Sequence, residues 1–210
     1  MNMIDKVKVM TVVGTYEAAK ENIKVKLENV NAEQIGVYRS AKEYGFEDLN
    51  IVPYVIIDET EDGVMSTRIT EDICRMWGVT ATEVIDQGIE NLDYTIQNMS
   101  VLIRKIARED GMPEDLIDIM FPDTDTGMYI VTNKKRLNGA SSIIPAQREL
   151  NRRFPQGYYV LPSSKHEVIV VPRRYGLNID EFKEMVTDIN GSQVNEKDRL
   201  SDNAYEILVA

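Results

Sequence analysis

Short apolar runs broken by polar corners dominate the second half of the chain. YYVL (158–161) and VIVVP (168–172) flank the corner PSSKHE, and each run is too short for a helix and rich in β-branched or aromatic residues, so the pair predicts two strands joined by a turn. Beyond the corner both faces are apolar. On a two-residue period His166 shares a face with Val168 and Val170, and Glu167 shares the other with Ile169 and Val171, which predicts a central strand covered on two sides.

The same reading applies upstream. LNIVPYVIID (49–58) and VMSTRI (64–69) predict a hairpin about Asp62-Gly63, with Pro53 placing that part of the first strand at an edge or a bulge. MYIVTN, then Asn138-Gly139, then ASSII predicts another hairpin. Helical periodicity appears in between. TEDICRMWG reads as a helix opened by Thr70 and closed by Gly78, and TATE sets Thr80 and Glu83 at capping-box spacing. Val84, Ile85, Ile89 and Leu92 then form one apolar stripe. Met99, Leu102, Ile103 and Ile106 form the next, with Arg104, Lys105 and Arg108 opposite. Pro145 fits the first turn of a helix turning Ala146, Leu150 and Phe154 inward. NIDEFKEMVTDIN predicts an amphipathic helix with Ile179, Phe182, Met185, Val186 and Ile189 inside, Asn190-Gly191 ends it, and AYEILVA is a last strand. The first forty residues read faintly, as a helix about Thr15–Asn22 and a strand about Ile23–Leu27.

Strand pairs joined by short turns and separated by single helices predict an α+β fold with a largely antiparallel sheet, packed helices and room for two lobes. The segment 111–127 holds two prolines, two glycines and a group of acids around a short apolar stretch. It is the predicted acidic connector between an N-terminal α+β lobe at 1–110 and a C-terminal α+β lobe at 128–210.

At 210 residues the chain is long enough to bury roughly 70% of its unfolded surface without disulfides or metals. One cysteine, Cys74, excludes an internal disulfide and fits a reducing, cytoplasmic setting. No apolar run approaches the ~18 residues of a membrane span. The net charge of −11 argues against nucleic acid as a partner. Charge is uneven, however: Glu43 to Asp125 holds 20 acids and five bases, whereas Lys134 to Arg174 holds nine bases and two acids. That basic segment is either a local anion site or a solvated face.

Candidate chemistry is sparse. With one histidine and one cysteine the chain cannot build an ordinary zinc site, and DTDTG at 123–127 lacks the later ligands of a calcium loop, so no metal and no cofactor is predicted. An acyl-transfer site would use Ser163 or Ser164 as nucleophile and His166 as base, but nothing here has the glycine-flanked nucleophile elbow. Cys74 beside Met76 and Trp77 reads as a small buried hydrophobe.

MWGVTATEVIDQGIENL, MYIVTNKKRLNGASSI, YYVLPSSKHEVIVVP and MVTDINGSQVNEKDRLSDNAYE, in that order, resemble an uncharacterised bacterial family, domain-of-unknown-function family 5688. The combination of a PSSxHE corner with a later LSD carries the resemblance. It implies fold kinship, a bacterial cytosolic setting and relatives with a leader ahead of Met1, so that this chain is shortened or a shorter homologue; it implies no activity. Matching positions that would form a shared binding surface are Asn133, Asn138, Gly139, Ser163, Ser164, His166, Glu167 and Asn190, each of which also suits a turn, a cap or a helix end. The chain therefore reads as a non-catalytic cytoplasmic binding or protein-interaction module, taking a protein partner or a small anionic ligand at the corner and basic segment. The competing reading is a hydrolase or transferase using the corner Ser163-Ser164-Lys165-His166-Glu167.

Overall fold

The computed structural model describes residues 3–60, 63–162, 164–173 and 178–209. They form an α+β protein with two antiparallel sheets, in two units, Met1–Asp93 and Tyr94–Ala210. This places the boundary ahead of the predicted connector. The strand Thr95–Asn98 pairs with Tyr129–Thr132, so the residues on either side of 111–127 belong to one sheet.

In the first unit the helices α1 (Met3–Val13) and α2 (Tyr16–Ala19) precede β1 (Ile23–Asn29), β2 (Arg39–Ser40), β3 (Leu49–Thr60), β4 (Gly63–Arg68), α3 (Glu71–Trp77) and α4 (Ala81–Glu90). β3 is the spine. It pairs with β1 along one side and with β2 and then β4 along the other. Pro53 lies inside this central strand and not at an edge; the irregularity falls between Ile56 and Asp58. The proline is tolerated because of where its missing N–H would point. The Pro53 carbonyl accepts from Ile69 N–H at 3.3 Å, so the nitrogen of the same residue faces that side too, in the interval where β2 has ended at its Ile51 pairing and β4 begins opposite Tyr54. The predicted caps form: Thr70 accepts from Ile73 N–H, Gly78 is left-handed, and Thr80 and Glu83 make a reciprocal box. Ala19, Ile23, Val37, Val55, Ile69, Cys74 and Val84 pack into one core. Burial pushes the Cys74 thiol above its ordinary range, as suits a small hydrophobe and not a nucleophile.

In the second unit β5 (Thr95–Asn98), α5 (Met99–Glu109) and α6 (Glu114–Met120) lead to β6 (Tyr129–Thr132), α7 (Ile143–Arg153), β7 (Tyr158–Leu161), β8 (Val168–Pro172), α8 (Ile179–Ser192) and β9 (Tyr205–Ile207). The sheet order is β5-β6-β8-β7-β9, so β8 is the predicted central strand. α8 covers one face, with Phe182 and Val186 against Tyr159, Leu161 and Val171. On the alternate positions of β7, Tyr158 is buried and donates from its hydroxyl to Asn151 of α7 at 3.1 Å, and its ring meets Phe154 edge-on.

Three predictions fail here. ASSII is not a strand: Gly139–Ser142 forms a 3-10 turn that runs into α7. On α5 the buried positions are Ser100, Arg104 and Ala107, while Ile106 is exposed, because Arg104 finds acceptors inside the unit: the Phe121 carbonyl at 2.7 Å, Glu114 at 3.2 Å and Asp118. On α8, Asn190 is buried within the helix and Met185 is exposed. No helix among the described residues is long and apolar enough to cross a membrane.

Candidate functional site

The corner between β7 and β8 is a junction of three chain segments. Its own turn is closed by Ser164 Oγ, which accepts from the His166 backbone N–H at 3.1 Å, a serine turn of the kind expected from the residue types. On one side lies 198–201. Lys165 N–H donates to the Asp198 carbonyl at 2.9 Å, Ser201 N–H donates to the Pro162 carbonyl at 3.2 Å, and Ser164 pairs with Arg199 in an isolated antiparallel bridge. On the other side lies the end of β6. Thr132 Oγ1 donates to the His166 carbonyl at 2.7 Å, and Ala140 N–H donates to the Lys165 carbonyl at 3.1 Å. The corner thus supplies an acceptor to the first turn of the helical segment leading into α7.

The predicted site residues divide by what they touch. Gly139 lies against the His166 carbonyl, Thr132 and the Asn133 nitrogen, where any β-carbon would collide. Asn138 takes the left-handed conformation that turns the chain into that contact. Asn133 closes its own loop: Nδ2 donates to the Leu137 carbonyl at 2.8 Å and Oδ1 accepts from Leu137 N–H at 3.2 Å. Lys134, Lys135 and Arg136 stand exposed on that closed loop. Asn190 reaches the junction from α8, its Nδ2 donating to the Ser201 carbonyl at 3.0 Å and to Asp202 Oδ1 at 2.6 Å. Glu167 is half-buried and pairs with no base among the described residues. Ser163 lies outside the described residues.

Charge is concentrated on one carboxylate that the sequence did not single out. Asp198 Oδ1 is 2.8 Å from Lys165 Nζ and 3.4 Å from His166 Nε2. Lys165 foremost, with His166 adding to it, holds the Asp198 carboxyl below its usual range. Asp198 sits in an ordinary charged run, NEKDR, and carried no signal. Ser201 did carry one: the PSSxHE and LSD pieces that the resemblance named together meet through Pro162 and Ser201.

The wider basic segment is partly neutralised, Arg153 by Glu149 and Arg173 by Glu206 at 3.0 Å, and Arg174 lies outside the described residues. Asp125, in the run that resembled a calcium loop, instead anchors its turn by accepting from Gly127 N–H at 2.8 Å and from the Tyr129 hydroxyl at 2.8 Å.

Two antiparallel sheets with packed helices, and a corner that joins segments from β6, β8 and the chain's last quarter, define an α+β protein built around a bonded junction. The chain belongs to DUF5688, a family of unknown function, whose model matches residues 2–207. No curated protein and no solved structure matches it.

Proposed function

We propose that the chain is a non-catalytic cytoplasmic interaction module that binds an acidic segment of a protein partner, or a small anion, with loop 133–137 and the adjoining corner. The observation that carries this reading is the Asn133–Leu137 clamp. It fixes three consecutive basic residues on a short closed loop, and Gly139 and Ala140 tie that loop to the corner. Cations displayed on a fixed frame lose less freedom on meeting an anionic partner than the same residues on a slack loop. The cytoplasmic setting is supported by Cys74, buried and unpaired.

The test is fluorescence anisotropy of a labelled hexaglutamate peptide against the full chain. Replacing Lys134, Lys135 and Arg136 by alanine is expected to abolish binding. Asn133→Ala, which leaves all three charges in place, is expected to weaken it several-fold. Binding unchanged in the triple variant removes the proposal.

A hydrolase or transferase reading draws support from one distance, His166 Nε2 to Asp198, the arrangement of a base oriented by a carboxylate. Against it, Asp198 is already paired with Lys165, and Ser164 Oγ is engaged by backbone. An ester-substrate and metabolite screen decides between them: turnover that disappears in a folded His166→Ala protein would replace the binding module with an enzyme.

A further inference from the structure

The segment EDLIDIM forms α6, and Ile117 is its one buried residue. Leu116, Ile119 and Met120 are 42%, 78% and 54% exposed. At 100° per residue these three fall on one stripe about one turn long. Glu114 and Asp118, which Arg104 and Arg108 hold from α5, fall on the opposite side of the helix. The apolar stripe therefore points away from α5, and each of its three side chains keeps a large share of its surface in water. Three neighbouring large hydrophobes left in water on one side of a short helix are a recognised mark of an interaction surface.

Charge specifies what fits there. From Glu109 to Asp125 the chain carries seven acids and no base. Glu114 and Asp118 are occupied by Arg104 and Arg108, whereas Asp110 and Asp115 pair with no base among the described residues. Asp115 lies at the margin of the stripe, next to Ile119 by helical position. A second α6 laid on this stripe would bring the acids of two copies together, which opposes pairing of like with like. We propose that the α6 stripe docks a cationic amphipathic helix of a partner protein, with leucine-like side chains covering Leu116, Ile119 and Met120 and a flanking Lys or Arg meeting Asp115. The surface shares no residue with the corner and its basic loop, and it carries the opposite charge.

The probe is a designed 18-residue peptide of leucine and lysine with helical periodicity, labelled with fluorescein and titrated with the full chain. Two further peptides separate the contributions: the same composition in shuffled order, and the same pattern with glutamate for lysine. The periodic lysine peptide is expected to bind the native chain at least tenfold more tightly than either control. The double variant Leu116→Ser, Ile119→Ser is expected to lose roughly tenfold in affinity, since covering one aliphatic side chain is worth that much or more. Asp115→Asn is expected to lose less, and its loss is expected to vanish in high salt. These positions are exposed, and unchanged circular dichroism and thermal midpoint verify that the variants fold. Equal binding of the shuffled peptide, or affinity indifferent to the double variant, overturns the proposal in favour of plain charge attraction. Concentration-dependent self-association of the native chain that Ile119→Ser abolishes also overturns it, because the occupant is then a second copy.

Discussion

Gly139 sits under the carbonyl of His166: a β-carbon built on the glycine would stand 2.4 Å from that oxygen and 2.2 Å from Thr132 Oγ1. The colliding atoms are a backbone oxygen and a hydroxyl already bonded to it, so neither can swing aside. Gly139→Ala is therefore expected to destabilise the protein by ~1–3 kcal/mol, as overpacking does in a fixed environment. The urea midpoint measures it. Gly191→Ala is the control. It lies inside α8, the added carbon meets nothing within 4 Å, and the change is expected to stabilise by up to ~1 kcal/mol through helix propensity. Equal effects at the two glycines would show that the contact with His166 is not holding the corner.

Asp198 makes the corner sensitive to acid. Its carboxyl is held below the ordinary range by Lys165 and then His166, so the folded state binds this proton less readily than the unfolded chain. A depressed carboxylate contributes stability that is complete above the unfolded-state value and is lost as pH falls through the folded-state value. The difference in unfolding free energy between the native chain and Asp198→Asn is therefore expected to be level above about pH 5 and to narrow steadily below about pH 4. Urea unfolding at a series of pH values reads it. A difference that stays constant down to pH 2 would mean that the carboxylate has no special partner in the folded chain.

The capping box at the start of α4 lends itself to a double-mutant cycle. Thr80 accepts from Glu83 N–H at 3.2 Å, and Glu83 accepts from both the Thr80 N–H and hydroxyl at 2.8 Å. Thr80→Ala is expected to cost about 1 kcal/mol. Adding Glu83→Ala is expected to cost less than its effect alone, since the box is already broken, and thermal unfolding of the four proteins gives the coupling.

Local chemistry was legible in the sequence wherever a residue's role is completed by its near neighbours. Thr70, Gly78, Thr80 and Glu83 specify caps within four residues, and YYVL and VIVVP specify paired strands around a turn closed by Ser164. The misreadings occur where the deciding partner is distant in sequence. Asn138-Gly139 has the composition of a hairpin turn, yet Gly139 is needed for close approach to the His166 carbonyl, and the chain continues into a helix. Periodicity on α5 put Arg104 opposite the apolar stripe, yet it is buried with Ser100 and Ala107 because Asp118 and the Phe121 carbonyl satisfy it from outside the helix. Asn190 sits on α8 between apolar residues and near a glycine, a helix end by composition. Its two acceptors at Ser201 and Asp202 make burial inside the helix tolerable. Of the candidate site, the turn was visible, but Asp198, the carboxylate that Lys165 and His166 share, was not.

Arg104 fastens α6 at both ends, and its loss should be felt there before it is felt elsewhere. The guanidinium bonds Glu114 in the first turn, Asp118 in the middle and the Phe121 carbonyl at the C-terminal cap, while Ile117 is the only buried apolar anchor the helix has. Glu114 and Asp118 are themselves largely exposed, so water can take over their solvation when the arginine is gone; the carbonyl and the missing clamp account for a loss of ~1–3 kcal/mol in Arg104→Ala. Arg104→Lys retains the charge but not the planar fork that reaches several acceptors at once, and an intermediate loss is expected. The informative measurement is hydrogen exchange. Amides of 117–121 are expected to lose protection in Arg104→Ala well before those of β6, β7 and β8, which lie in the sheet and do not depend on this side chain. A uniform rise in exchange across the unit would instead make Arg104 part of the global core.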